Sequence, residues 1–200
     1  MLSSIRQFRD NIKQARELGR LALAVSSMTT PAVDVSDLFR AQIVLAVSAL
    51  DYFVHELIRL GMVEAAQGSR TKTNAYLKFQ MPIAVLDSAL GGSPCEIWVS
   101  DTVRERHSWL SFQQPDKIAD AIRLISSIEL WNLVAIELGM SSADVKTGLR
   151  VIIDRRNTIA HEADMDPTNP GFRWTINANM ANEATDFIDR IAETIFKVTV

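Results

Sequence analysis

Apolar residues recur three and four positions apart along almost the whole of this chain. Between residues 2 and 27 they fall at Ile5, Phe8, Ile12, Ala15, Leu18, Leu21, Ala22 and Val25. That spacing lines up side chains on one face of a helix, whereas a half-buried strand needs an alternation of two. Thr29-Thr30-Pro31 interrupts the pattern. A second helix is expected to start near Asp34 or Ser36, both competent N-caps, and to run to about Ala66. Its stripe is Phe39, Ile43, Ala46, Val47, Leu50, Val54, Leu57 and Gly61.

Further helical segments are expected over 74–90, broken or kinked at Pro82, then over 96–112, after Pro115, and over 128–138 up to Gly139. Ser141 or Ser142 should cap a helix from about Ala143 to Ala163, with Asp144 favourable to its positive N-terminal end. Pro167, Asn169, Pro170 and Gly171 mark a loop, and Asn177 or Asn179 should start a last helix to about Val198. Long alternating runs suited to strands are missing. The sequence therefore predicts an all-α fold, a single-domain up-down helical bundle over residues 1–200 with a long second helix.

Composition narrows the function classes. The chain is 48% hydrophobic and 22% charged, within the range of soluble globular proteins, and its 200 residues need no disulfide staples. Its single cysteine, Cys95, excludes an intramolecular disulfide framework and leaves too few thiols for a zinc cluster. No metal or cofactor is expected. The first residues lack the continuous apolar core of a signal peptide, and the longest apolar stretch, around Ile43 to Leu50, is too short to span a bilayer. A cytoplasmic protein without membrane contact is the expectation. The formal net charge of −3 is not that of a general nucleic-acid binder. Handling RNA would require a local basic cleft or a contribution from a second subunit.

Chemistry concentrates near one of the three histidines. His161 follows Asp154-Arg155-Arg156-Asn157-Thr158-Ile159-Ala160 and precedes Glu162. An arginine shortly before a histidine is weak by itself, since roughly 0.7 such matches arise by chance in a chain like this. The helical register adds more. Leu149, Ile152, Ile153, Ala160 and Ala163 share an apolar stripe, and Arg150, Asp154, Asn157 and His161 share a polar one beside it. Arg156 falls inside the apolar stripe, where a guanidinium needs a partner. Arg156 and His161 lie about 140° apart on an ideal helix. Either the helix loosens near residues 160–163, or two copies of it meet and each supplies part of a site.

On the second helix, Arg40, Asp51 and His55 project within about 60° of one another. Asp51 could orient Arg156 or an imidazole through a charge-assisted hydrogen bond. The alternative is a buried Asp51–Arg40 or Asp51–Arg156 pair that only locks the core. The four tryptophans, Trp98, Trp109, Trp131 and Trp174, could stack on bases, but their place in amphipathic helices favours core packing.

Arg156-Asn157-Thr158-Ile159-Ala160-His161-Glu162 resembles the Arg–polar–x–His motif of the HEPN superfamily, the higher-eukaryote and prokaryote nucleotide-binding domains. Phe39 to Ile43 and Ser48 to Leu57, together with Ala163 to Pro167 and Phe187 to Ile191, are similar to its RiboL-PSP-associated subgroup. The resemblance covers roughly residues 34–65 and 141–197. It implies a HEPN-like helical bundle that forms a homodimer, with the two motifs facing each other across a two-fold axis. It also implies either a metal-independent RNase of a toxin–antitoxin or other defence system, or an inactive module that binds a nucleotide, RNA or protein.

On the first reading, Arg156 and His161 are catalytic. Asn157, Asp51 and Glu162 support them, and Arg40, His55 and Asp154 are further possibilities. An imidazole, with its ordinary pKa near about 6.5, suits removal of a proton from a ribose 2′-hydroxyl or its delivery to the leaving 5′-oxygen. A guanidinium fork suits the charge that builds on the phosphorane. RNA and a second copy of the chain are the expected partners, and an antitoxin or regulatory protein is a further one. The resemblance also implies that modification of a residue near the motif can silence such a toxin; Tyr52 is the only nearby tyrosine by sequence pattern, and that role is not assigned to it. The alternative reading of His161 is a residue that favours the C-terminal end of its helix dipole and packs on a neighbour.

Overall fold

The computed structural model describes residues 1–30 and 32–200, and Leu86 by its backbone alone. Its described residues form nine helices. They are α1 (Leu2–Met28), α2 (Ser36–Ala66), α3 (Asn74–Leu77), α4 (Ala84–Leu90), α5 (Cys95–His107), α6 (Pro115–Ile122), α7 (Leu130–Leu138), α8 (Ser142–His161) and α9 (Ala178–Thr199). The fold is all-α, as the three-and-four spacing predicts. The long second helix extends over 31 residues. Of the break expected at Thr29-Thr30-Pro31, Pro31 lies outside the described residues; α1 ends at Met28 and α2 begins at Ser36.

Four long helices carry the bundle, and pairs of contacts fix their directions. The Met1 amino group meets Glu64 at 3.1 Å, and a Cβ at Gly19 would meet Gln42, so α1 runs antiparallel to α2. Gln42 donates to Asn182 and Thr185 of α9, and Arg70, just past α2, donates to the Thr199 carbonyl, so α9 runs parallel to α2. Arg40 near the start of α2 reaches Asp164 just past the end of α8, which makes α8 antiparallel to α2. This up-down arrangement buries one continuous apolar cluster that includes Phe8, Leu50, Phe53, Leu57, Leu149, Ile153, Ile188 and Ile195. Burying a side chain of that size contributes about 1.5–3 kcal/mol.

Capping follows local sequence. Ser141 accepts from the Asp144 amide at the start of α8, and Asn177 accepts from the Met180 amide at the start of α9. Gly139 ends α7 in the left-handed region at φ 65°.

The 74–90 segment separates into α3 and α4 with Pro82 between them, the break expected there, since proline supplies no amide donor and restricts Met81 before it. One expected boundary differs. The helix expected to reach residue 112 stops at His107, and residues 110–114 instead form an extended wall. Asp51 of α2 captures that wall: its Oδ1 accepts from the Phe112 amide at 2.6 Å and its Oδ2 from the Gln113 side chain at 3.1 Å. Among the described residues, no helix is long and apolar enough to cross a membrane.

Candidate functional site

Helix α8 keeps regular geometry through His161 and leaves it only at Glu162, whose φ and ψ are −121° and 13°. The loosening that would swing Arg156 and His161 together on one chain is therefore not seen before His161. The two residues stay on different faces of the same helix, while Asn157 and His161 share a face one turn apart.

Arg156 is half-buried, and its Nη1 donates to Asn157 Oδ1 at 3.0 Å. Its Nε is buried without a hydrogen-bond partner. Arg156 and Asn157 open onto a cleft of about 540 Å³ between α8 and the 110–114 wall, which contributes Gln113 and Gln114, with Trp109 from the turn before it. Lys117 and Asp120 of α6 complete its rim. Asp120 is paired with Arg123, so the cleft keeps positive charge from Arg156 and Lys117. His161 lies outside this cleft and is exposed, with no side-chain hydrogen bond or ion pair among the described residues. Asp154 and Glu162 are exposed as well; the Asp154 carbonyl accepts from Thr158, and Glu162 bonds through its backbone, its amide donating to the Thr158 carbonyl and its carbonyl accepting from the Met165 amide.

The apolar stripe of α8 is covered only over part of its length. Leu149 and Ile153 are buried, whereas Ala160 and Ala163 are exposed. In the last turn Ile159 packs toward Phe39 and Ile43 of α2, while Ala160 and His161 on the other side are exposed.

The triad read on α2 does not assemble. Arg40, Asp51 and His55 share an angular sector, but angle says nothing about position along the axis, where Arg40 and Asp51 are about 16 Å apart. Neither Asp51–Arg40 nor Asp51–Arg156 forms. Asp51 holds the cleft wall instead, and its Oδ1 lies 3.8 Å from His55 Nε2. The His55 ring packs on Phe112 with centroids 4.5 Å apart, and His107 lies beyond it at 6.3 Å. Burial, and secondarily the charge of His55, lower the His107 imidazole to about 4.

Arg40 is buried at the other end of α2. Its Nε donates to Asp164 Oδ2 at 2.6 Å, and Arg155 donates to the same oxygen at 2.9 Å. Asp164 is fully buried, and its backbone carbonyl accepts from Trp174. Ala163 and Asp164 both take left-handed backbone angles, φ 52° and 58°. For non-glycine residues that costs roughly 1–2 kcal/mol each, and the two arginine bonds hold the turn against it. Asp164 and Arg155 escaped the sequence reading because no local pattern tells which of several carboxylates meets a buried arginine 124 positions earlier.

The tryptophan expectation holds for Trp131, buried and donating to the Pro115 carbonyl at 2.9 Å. It fails for Trp109, which is 78% exposed because α5 ends before reaching it. It fails also for Trp174, which is 37% exposed in the loop after α8.

The fold and the site together define a helical-bundle protein in which an arginine, an asparagine and a histidine mark the C-terminal end of one helix. The family model described as RiboL-PSP-HEPN matches residues 9–199, and the chain belongs to that family. Nothing matches among curated proteins or among solved structures.

Proposed function

We propose that the chain is a metal-independent endoribonuclease whose site is completed by a second copy of itself. The observation that carries this reading is the end of α8. Arg156 and Asn157 meet in a positively charged cleft, His161 is exposed and unengaged one turn on, and the helix remains regular between them. Membership of a HEPN family supports a nucleotide- or RNA-related role.

A regular helix cannot aim Arg156 and His161 at one phosphate, being about 140° apart. Two copies meeting along the exposed Ala160–His161 side of α8 can, with Arg156 of each facing His161 of the other. Such pairing also doubles the local positive charge, which the acidic whole needs if it is to hold RNA.

The chemistry uses the substrate's own nucleophile. His161 of one copy takes the 2′-hydroxyl proton as that oxygen attacks phosphorus, and the bond from phosphorus to the 5′-oxygen breaks. The leaving oxygen takes a proton from water, and His161 gives its proton up to solvent. Arg156 pairs with the non-bridging oxygens as their charge builds, and Asn157 fixes the guanidinium. The products are a 2′,3′-cyclic phosphate and a 5′-hydroxyl, and DNA is not cut. A defence or toxin–antitoxin setting, in which a partner protein restrains the nuclease, suits such an activity.

The test is cleavage of a labelled structured RNA in EDTA by the chain, Arg156→Ala and His161→Ala. Cleavage by the unaltered chain alone, with loss of about 100-fold or more in each variant, is the expected result. No cleavage, or equal cleavage by all three, would sink the nuclease reading and leave a dimeric module that binds nucleotide, RNA or protein.

A further inference from the structure

Trp109 is the most exposed tryptophan of the chain, and it stands on a ridge between two clefts. One is the Arg156–Asn157 cleft of about 540 Å³. The other, of about 520 Å³, is lined by Pro82, Glu105, Arg106, Ser108 and Trp109. Each cleft holds one arginine whose Nε is buried and without a hydrogen-bond partner, Arg156 in the first and Arg106 in the second. A large aromatic face in water is unfavourable unless something covers it. The flanking clefts offer the cations Arg156, Lys117 and Arg106 beside Leu110, Phe112 and Ile153, with the carboxylates Asp120 and Glu105 at their rims.

We propose that Trp109 is a base-stacking platform for single-stranded RNA crossing the Arg156 cleft, with Arg106 beside the next phosphate. The proposal rests on the nuclease reading for the identity of the strand, and deepens it by naming how the strand is held. Alternating cation, aromatic and cation matches the phosphate–base–phosphate repeat of an unpaired strand, whose bases are free to stack because they are not paired. A duplex offers no free base face here, so the platform selects loops and single-stranded segments. Trp109 lies in the turn that leads into the wall anchored by Asp51, which keeps its backbone beside the Arg156 cleft.

The test separates a stacking platform from a general anionic surface. In a His161→Ala background, which leaves RNA intact, affinity is measured for a short oligoadenylate and for an abasic ribose–phosphate oligomer of equal length. Stacking of one base contributes about 1–3 kcal/mol, or roughly 5- to 100-fold in affinity. The expected result is that removing the bases weakens binding by at least about fivefold. Trp109→Ala should abolish that difference and Trp109→Phe should largely keep it. Equal loss of both oligomers in Trp109→Ala, no binding of either oligomer, or a shift in self-association without base dependence would overturn the proposal. The last of these would make the ridge a protein interface. Cleavage by the unaltered chain with no base dependence at Trp109 would remove the platform and keep the nuclease; base-dependent binding without cleavage would keep the platform and remove the nuclease.

Discussion

At the scale of single residues, Asp164 and His107 show opposite ways of burying a polar group. Asp164 is fully buried and shared by Arg40 and Arg155, so its charge is matched from two elements. Asp164→Ala would leave Arg40 buried without its carboxylate and release the left-handed turn after α8. A loss of about 3–5 kcal/mol is expected, seen as a lower urea midpoint; an unchanged midpoint would show that the turn is held by other contacts. His107 is buried among Phe79, Phe112 and His55 with its Nδ1 unpartnered, so it stays neutral. Its imidazole is lowered to about 4, while a histidine in the unfolded chain titrates near about 6.5. Between these values the unfolded state binds more protons. The contribution of His107 to stability is complete above about pH 6.5 and is lost as pH falls toward 4, at up to about 1.4 kcal/mol per pH unit. Melting temperatures should drop through that window, and His107→Phe should drop less. Parallel curves for the two proteins would show that other groups govern the acid response.

At the scale of elements, the crossing of α1 over α2 depends on the absence of a side chain at Gly19. A Cβ there would overlap Gln42 Oε1, and Gln42 is itself buried and bonded to Asn182 and Thr185 of α9. Helix propensity alone would make Gly19→Ala stabilising by about 1 kcal/mol. Overlap and the loss of the Gln42 bonds cost about 1–3 kcal/mol or more, so net destabilisation is expected; calorimetry finding a higher melting temperature would reverse that ranking. The helices themselves were largely legible in the sequence, with α2 expected from Asp34 or Ser36 to Ala66 and found from Ser36 to Ala66. Their spacing of apolar residues and their caps are local signals. The early end of α5 was not legible, because the group that holds Phe112 extended is Asp51, 61 residues earlier.

At the scale of the whole molecule, the question is whether one chain contains a complete site. If each site takes Arg156 from one copy and His161 from the other, Arg156→Ala and His161→Ala complement each other. A mixed dimer then holds one intact site and one without either group. Equal mixing with free exchange of subunits should restore about a quarter of the unaltered activity, since half the dimers are mixed and each has half its sites. The measurement is cleavage after co-refolding the two inactive variants. Activity that stays at background while light scattering shows a dimer would mean that Arg156 and His161 act within one chain.

By itself the sequence determined the helices, their caps and the Arg156-Asn157-His161 end of α8, because periodicity, capping and motif spacing are properties of neighbouring residues. It also determined that Arg156 and His161 diverge on a regular helix. Only the tertiary structure decided what meets what: that Arg40 belongs to Asp164, that Asp51 builds a wall rather than orienting a catalytic group, and that Trp109 stands in solvent beside Arg156. Those pairings join residues far apart in the chain, and several partners of the right charge compete for each. Packing of the long helices brings one of them within reach, and no local pattern records which.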